Sequence, residues 1–221
     1  MPLQNRVTPF GEIVALPARG AWMGNRGRLH DANKRLTRRR WTTRAWITCK
    51  LHFRERRREV MAPGRYTELF FLDEATAFAA GHRPCAECRR ADFLRFRDLF
   101  ARAKRPYVRD PSLSADEIDR ILHKERRVPV AERPRIPLFD SGLPDGTIVA
   151  LGPDFLDVCL VYRRSLYRWS AAGYDWIGAS SGHEVVVLTP PSIVETFSCG
   201  YMPQVDIGRD RRGADRAGEI I

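Results

Sequence analysis

A chain of 221 residues with 43% hydrophobic content is long enough for one large domain or two small ones, each with a core. Its first residues lack the continuous apolar run of a secretory leader, and no segment reaches the roughly 18–20 apolar residues of a membrane span, which points to a cytoplasmic protein. In that compartment the five cysteines, Cys49, Cys85, Cys88, Cys159 and Cys199, do not suggest a disulfide framework, so a close pair points to metal or catalysis. The formal net charge of +11 is segregated: residues 1–60 carry 15 Lys and Arg against 4 Asp and Glu, and the other 161 residues hold 23 of each. A basic block of this kind suits a polyanion, most often nucleic acid, through phosphate neutralisation and counterion release.

Residues 1–30 are rich in Gly, Pro and Asn and read as loop with one short strand at Glu12–Leu16. Alternation of Ile47, Cys49, Leu51 and Phe53 predicts a strand over 45–53, and the aromatic run "RYTELFFL" predicts another over 65–72. A short helix follows over 73–81, with Asp73 as N-cap and Gly81 as terminator. Phe93, Leu94, Phe96, Leu99 and Phe100 recur at helical spacing, giving an amphipathic helix over 91–103 whose phenylalanines face a core. "SADE" is a capping box with Ser114 as N-cap and Glu117 three residues on, and it opens a helix that runs to about Arg127.

Four prolines between 129 and 144 then read as a linker over 129–140. Beyond it, "TIVALG", "DVCLVYR", "SLYRWS" and "EVVVLTP" are four short strands suited to a small antiparallel sheet or barrel. Within them Cys159 alternates inward as a core thiol. The tail from 206 to 221 has few large apolar residues before its end and reads as disordered. The fold expected is α+β, with a zinc-bearing αβ unit and helices over 1–128 and a β-rich unit over 141–205.

The stretch "GHRPCAECRR" sets Cys85 and Cys88 two residues apart among arginines. A redox pair belongs at the end of a strand in a thioredoxin-like context, whereas this pair follows a short helix. A zinc deaminase shares P-C-x-x-C but needs H-x-E or C-x-E upstream, and neither tripeptide precedes residue 84. Two cysteines without a ligating role are a further alternative. Zinc needs four N or S ligands in a tetrahedron. Cys49 is the natural third, His52 at Cys-x2-His spacing the nearest fourth, and His30 and His82 are reserves. A strict strand would point His52 away from Cys49, so a turn at Lys50–Leu51 is required.

The stretch "FFLDEATAFAAGHRPCAECRR" resembles the metal-binding domain of the bacterial alkylation-response protein Ada over roughly residues 45–90, around Gly81, Arg83, Pro84, Cys85, Cys88 and Arg89. The resemblance implies a small zinc-stabilised fold that touches DNA. It departs from the family in its upstream ligands: that family carries C-x3-C, one cysteine of which accepts a methyl group from DNA, whereas here the positions four after and four before Cys49 hold Phe53 and Ala45. Repair chemistry is therefore not implied, and the C-terminal half is not covered.

The function expected is a zinc-binding cytoplasmic protein that binds nucleic acid, DNA before RNA, with Arg38, Arg39, Arg40, Arg56, Arg57 and Arg58 meeting phosphates. One alternative is a nuclease or DNA-processing enzyme. In "MGNRGRLHD" the glycines and asparagine would wrap a phosphate, and His30 beside Asp31 would activate water. Another is a structural zinc protein with a protein partner.

Overall fold

The computed structural model describes residues 1–55, 59–109, 111–138, 142–152, 154–179 and 184–208. Among the described residues two sheets and four α-helices form an α+β fold. The first sheet contains β1 (Gln4–Val7), β2 (Ile13–Ala15), β3 (Trp22–Asn25), β4 (Ile47–Cys49), β5 (Leu69–Phe71) and β6 (Arg83–Pro84), in the order β2-β1-β5-β3-β4-β6. Two of its pairings, β1 with β5 and β4 with β6, are parallel. The second sheet contains β7 (Arg135–Pro137), β8 (Ile148–Leu151), β9 (Asp157–Tyr162), β10 (Ser165–Ser170), β11 (Gly173–Ala179) and β12 (Glu184–Val187). Its order is β11-β10-β9-β8-β12-β7, with every pairing antiparallel.

The helices are α1 (Glu74–Ala79), α2 (Arg90–Lys104), α3 (Ala115–Glu125) and α4 (Pro191–Ser198). Helix α1 opens where expected: Asp73 Oδ1 accepts from the Thr76 N–H at 2.8 Å. It ends before Gly81, whose φ of +80° favours glycine and which packs so closely on Arg126 that a Cβ would lie 2.7 Å from it. The Ser114/Glu117 capping box of α3 is complete in both directions.

All six residues of α1 are buried, and its four apolar ones divide among three cores. Ala77 joins Val7, Leu69 and Phe71 of the first sheet, while Ala75 and Ala79 join Ile148, Ala150, Val158 and Leu160 of the second. Phe78 joins Phe96 and Phe100 of α2, Ile118 and Leu122 of α3, and Phe197 of α4. Small residues on two sides let both sheets approach the helix, and the one large side chain fills the helical side. Burying each such aromatic stabilises the fold by roughly 1.5–3 kcal/mol.

The helical core crosses the division drawn in the sequence at 129–140. Phe197 and Tyr201 pack on Phe78, with ring centroids 5.2 and 5.4 Å away. The stretch read as a linker contributes β7, which pairs with β12. The tail expected to be disordered lies, from residue 209 on, outside the described residues. No described helix is long and apolar enough to cross a membrane.

Candidate metal centre

The centre is built by the parallel pairing of β4 with β6. Ile47 stands opposite Arg83 and Thr48 opposite Pro84, and the Cys85 N–H donates to the Thr48 carbonyl at 2.9 Å. One residue further along both chains, Cys49 and Cys85 become neighbours. The turn after Cys85 then brings Cys88 back, and α2 starts immediately beyond it. The result is three sulfurs within 4.8 Å of one another, on residues only 6–7% exposed. Met23 packs into the same cluster, with Ile47, Phe53 and Phe70 against it.

The donor set fits a metal ion. Zinc–sulfur bonds of about 2.3 Å set tetrahedral sulfurs about 3.8 Å apart, within the spacing found. The backbone is also arranged to stabilise thiolates. The Glu87 N–H donates to Cys85 Sγ at 3.4 Å, and the Cys88 N–H and Lys50 N–H point at Cys85 and Cys88 respectively. The Cys49 S–H hydrogen bond brings the Cys85 thiol down to about 5, and those N–H groups assist against burial. The same hydrogen bond, with burial, pushes Cys49 up, and burial raises Cys88. Without metal the three coupled thiols thus give up a first proton readily, and a divalent ion would draw the remaining protons off.

The predicted strand over 45–53 is cut to Ile47–Cys49 for the same reason. After Cys49 the backbone turns to the Cys88 sulfur instead of a strand partner, and Arg54 and Glu55 take left-handed conformations (φ 49° and 51°). His52 therefore lies on an exposed stretch, outside the group formed by the three sulfurs. The reserve histidines are committed elsewhere. His82 is fully buried, with Nε2 accepting from Arg26 Nε at 3.3 Å.

His30 is also held by structure. Its Nε2 lies 3.1 Å from the Ala62 carbonyl, which can only accept, so Nε2 carries the proton and Nδ1 accepts from Thr67 Oγ1 at 2.7 Å. Asp31 Oδ1 accepts from the N–H groups of Asn33 and Arg35, both at 2.9 Å, which ties off the loop. Both His30 nitrogens are thus engaged, and neither is presented as a base. Gly27, expected to help wrap a phosphate, has φ +96° and packs where a Cβ would meet Thr42 Oγ1 at 1.9 Å. Its freedom serves that close approach.

The arginines flanking the cysteine pair are structural too. Arg83 forms a two-pronged ion pair with Asp119 at 2.8 and 2.7 Å, both side chains 5% exposed. Arg89 reaches Glu74 and Asp92 and lies 4.1 Å from the Trp22 ring centroid. Arg38, Arg39 and Arg40, in contrast, are exposed on the loop before β4. Arg56, Arg57 and Arg58 lie outside the described residues.

The fold adds a basic group that the linear charge count missed. Arg126, just beyond α3, donates from Nη2 to the Arg44 carbonyl at 2.7 Å and sits 3.9 Å from the Trp46 ring centroid. Arg26 sits at the same distance from that ring. The available signal was the basic pair Arg126–Arg127 at the end of a well-capped helix, but nothing local says where that end docks. The chain matches no family model, no curated protein and no solved structure.

Proposed function

We propose that Cys49, Cys85 and Cys88 hold a zinc ion and that this centre braces a cytoplasmic nucleic-acid-binding protein, with DNA preferred to RNA. The observation that carries the metal is the group of three buried sulfurs within 4.8 Å, already supplied with N–H donors. Zinc here supplies cross-linking of β4, β6 and the start of α2, and its binding energy becomes folding energy. The fourth position goes to His52, the remaining described histidine near the centre in sequence, through a movement of the exposed segment after Cys49.

The strand, the short helix with its glycine stop and the C-x2-C turn are the parts that a likeness to the Ada metal-binding domain requires. Three thiolates and a neutral histidine leave less negative charge than four thiolates, so each sulfur is a weaker nucleophile. The role proposed for Cys49 is accordingly that of a ligand and not of a methyl acceptor.

The charge excess of residues 1–60 supports the polyanion reading, with Arg38, Arg39 and Arg40 exposed and Arg56, Arg57 and Arg58 in the same block. Log K should fall by roughly 0.7–0.9 per log unit of salt for each phosphate neutralised. Replacing Arg38, Arg39 and Arg40 together by alanine should flatten that slope by about two to three. A wild-type protein that binds neither DNA nor RNA at low salt would overturn the reading.

A further inference from the structure

A column of cations and aromatic rings runs from the interior to the surface beside the metal-bearing strand. Arg26, 1% exposed, is at its inner end, and its guanidinium carbon lies 3.9 Å from the Trp46 centroid. The Arg126 guanidinium carbon lies at the same 3.9 Å. Trp41 follows, 6.3 Å from Trp46, with His123 edge-on to it at 5.3 Å and the Arg127 guanidinium carbon 5.8 Å from its centroid. The column ends there, and Trp41 is 37% exposed.

The charges around it are uncompensated. Among the described residues none of Arg26, Arg40, Arg44, Arg126 and Arg127 makes an ion pair. Asp119, whose charge reaches Arg126, is already spent on Arg83. Arg26 Nη2 and Arg126 Nε are buried with no hydrogen-bond partner. Burial and the charges of Arg126 and Arg40 pull the Arg26 guanidinium down to about 9, still cationic at neutral pH. Carbonyls, His82 and the Trp46 ring hold these guanidiniums, but no carboxylate pairs with them, so the region stays attractive to an anion.

From this geometry we infer that Trp41 is a stacking platform for an unpaired base, with Arg40, Arg44 and Arg127 placed to meet the flanking phosphates. The surface is thus a site for single-stranded nucleic acid. It rests on the nucleic-acid reading above and adds the form of the strand. A duplex keeps its base faces within its own stack and has none to offer Trp41, whereas a single strand presents them. Guanidinium groups add cation–π attraction to the same column.

The test measures binding of a short oligothymidylate, the matched oligouridylate and a duplex of equal length to the full chain at low salt. Single strands should bind the wild type more tightly than the duplex. Trp41→Ala and Trp41→Leu should weaken single-strand binding about 5- to 150-fold, the range for losing one stacked base, and Trp41→Phe should restore most of it. The salt slope should stay unchanged in all three variants, because no phosphate contact is removed. Equal melting temperatures establish that the variants are folded. Single-strand binding unchanged in Trp41→Ala, or tighter duplex binding, overturns the inference and leaves the nucleic-acid reading standing. Absence of binding to every probe overturns that reading itself.

Discussion

Arg89, the residue immediately after the cysteine pair, donates from Nη2 to Glu74 Oε1 at 2.5 Å with both side chains out of water. This pair joins the turn that carries Cys85 and Cys88 to α1, the helix on which three cores converge. Glu74 is fully used. Its Oε1 also accepts from the Tyr201 hydroxyl at 2.9 Å and its Oε2 from the Gln204 N–H at 2.8 Å. Removing one partner would leave the other charged and buried, so Arg89→Ala or Glu74→Ala should cost about 3–5 kcal/mol. Arg89→Lys should rescue little, because one ammonium cannot reproduce the Nη2 contact to Glu74 and the Nε contact to Asp92 together. Urea unfolding of the three variants checks this, and a loss near zero would remove the pair from the fold's foundations.

Stability should fall as pH drops below about 6.5, and His82 is the main reason. Burial, then the charges of Arg26 and Arg126, hold its imidazole well below the ordinary value of 6.5. The unfolded chain takes up a proton there that the folded chain refuses, so the unfolded state binds more protons and gains. The loss approaches about 1.4 kcal/mol per pH unit below that point. The half-exposed His123 is lowered by burial and by Arg126, Arg127 and Arg44, and it adds in the same direction. Melting temperatures at about pH 7.5 and about pH 5.5 test this. His82→Gln should show a distinctly smaller difference than the wild type, and an equal difference would refute the assignment.

His52 distinguishes two forms of the centre. As the fourth ligand its replacement by alanine should weaken zinc binding by more than roughly tenfold, while the stoichiometry stays at one ion. Competition with a chromophoric chelator gives the affinity. An unchanged value would remove His52 from the ligand set.

What was legible in the sequence was local. Asp73, the Ser114/Glu117 box and the Phe93–Phe96–Phe100 face could be read because cap and periodicity lie within a few residues of what they govern. Helix α4 was missed although Pro191 occupies its first turn and Gly200 follows its end with φ +101°. Those two signals mark a helix, but eight residues make barely two turns, and the buried face of Ser192, Ile193, Thr196 and Phe197 mixes polar with apolar residues. The strands β1, β2 and β3 have three or four residues each, shorter than alternation can reveal, and only β2 was anticipated.

The same division runs through the site. Cys85 and Cys88 announce themselves by spacing. Cys49 joined them on ligand arithmetic, and its actual placement depends on a parallel strand pairing between residues more than thirty positions apart. The docking of Arg126 on Trp46 links positions still further apart, so the column ending at Trp41 appears only in the fold.

Whether the three buried sulfurs of Cys49, Cys85 and Cys88 hold a metal ion is read by elemental analysis of the purified chain. Purified protein should carry about one zinc ion per chain. Cys85→Ser should lose the ion and lower the melting temperature, because binding energy and folding energy are the same quantity in such a site. Protein that carries no metal and binds none on titration, or a Cys85→Ser chain with unchanged zinc content and melting, would contradict it.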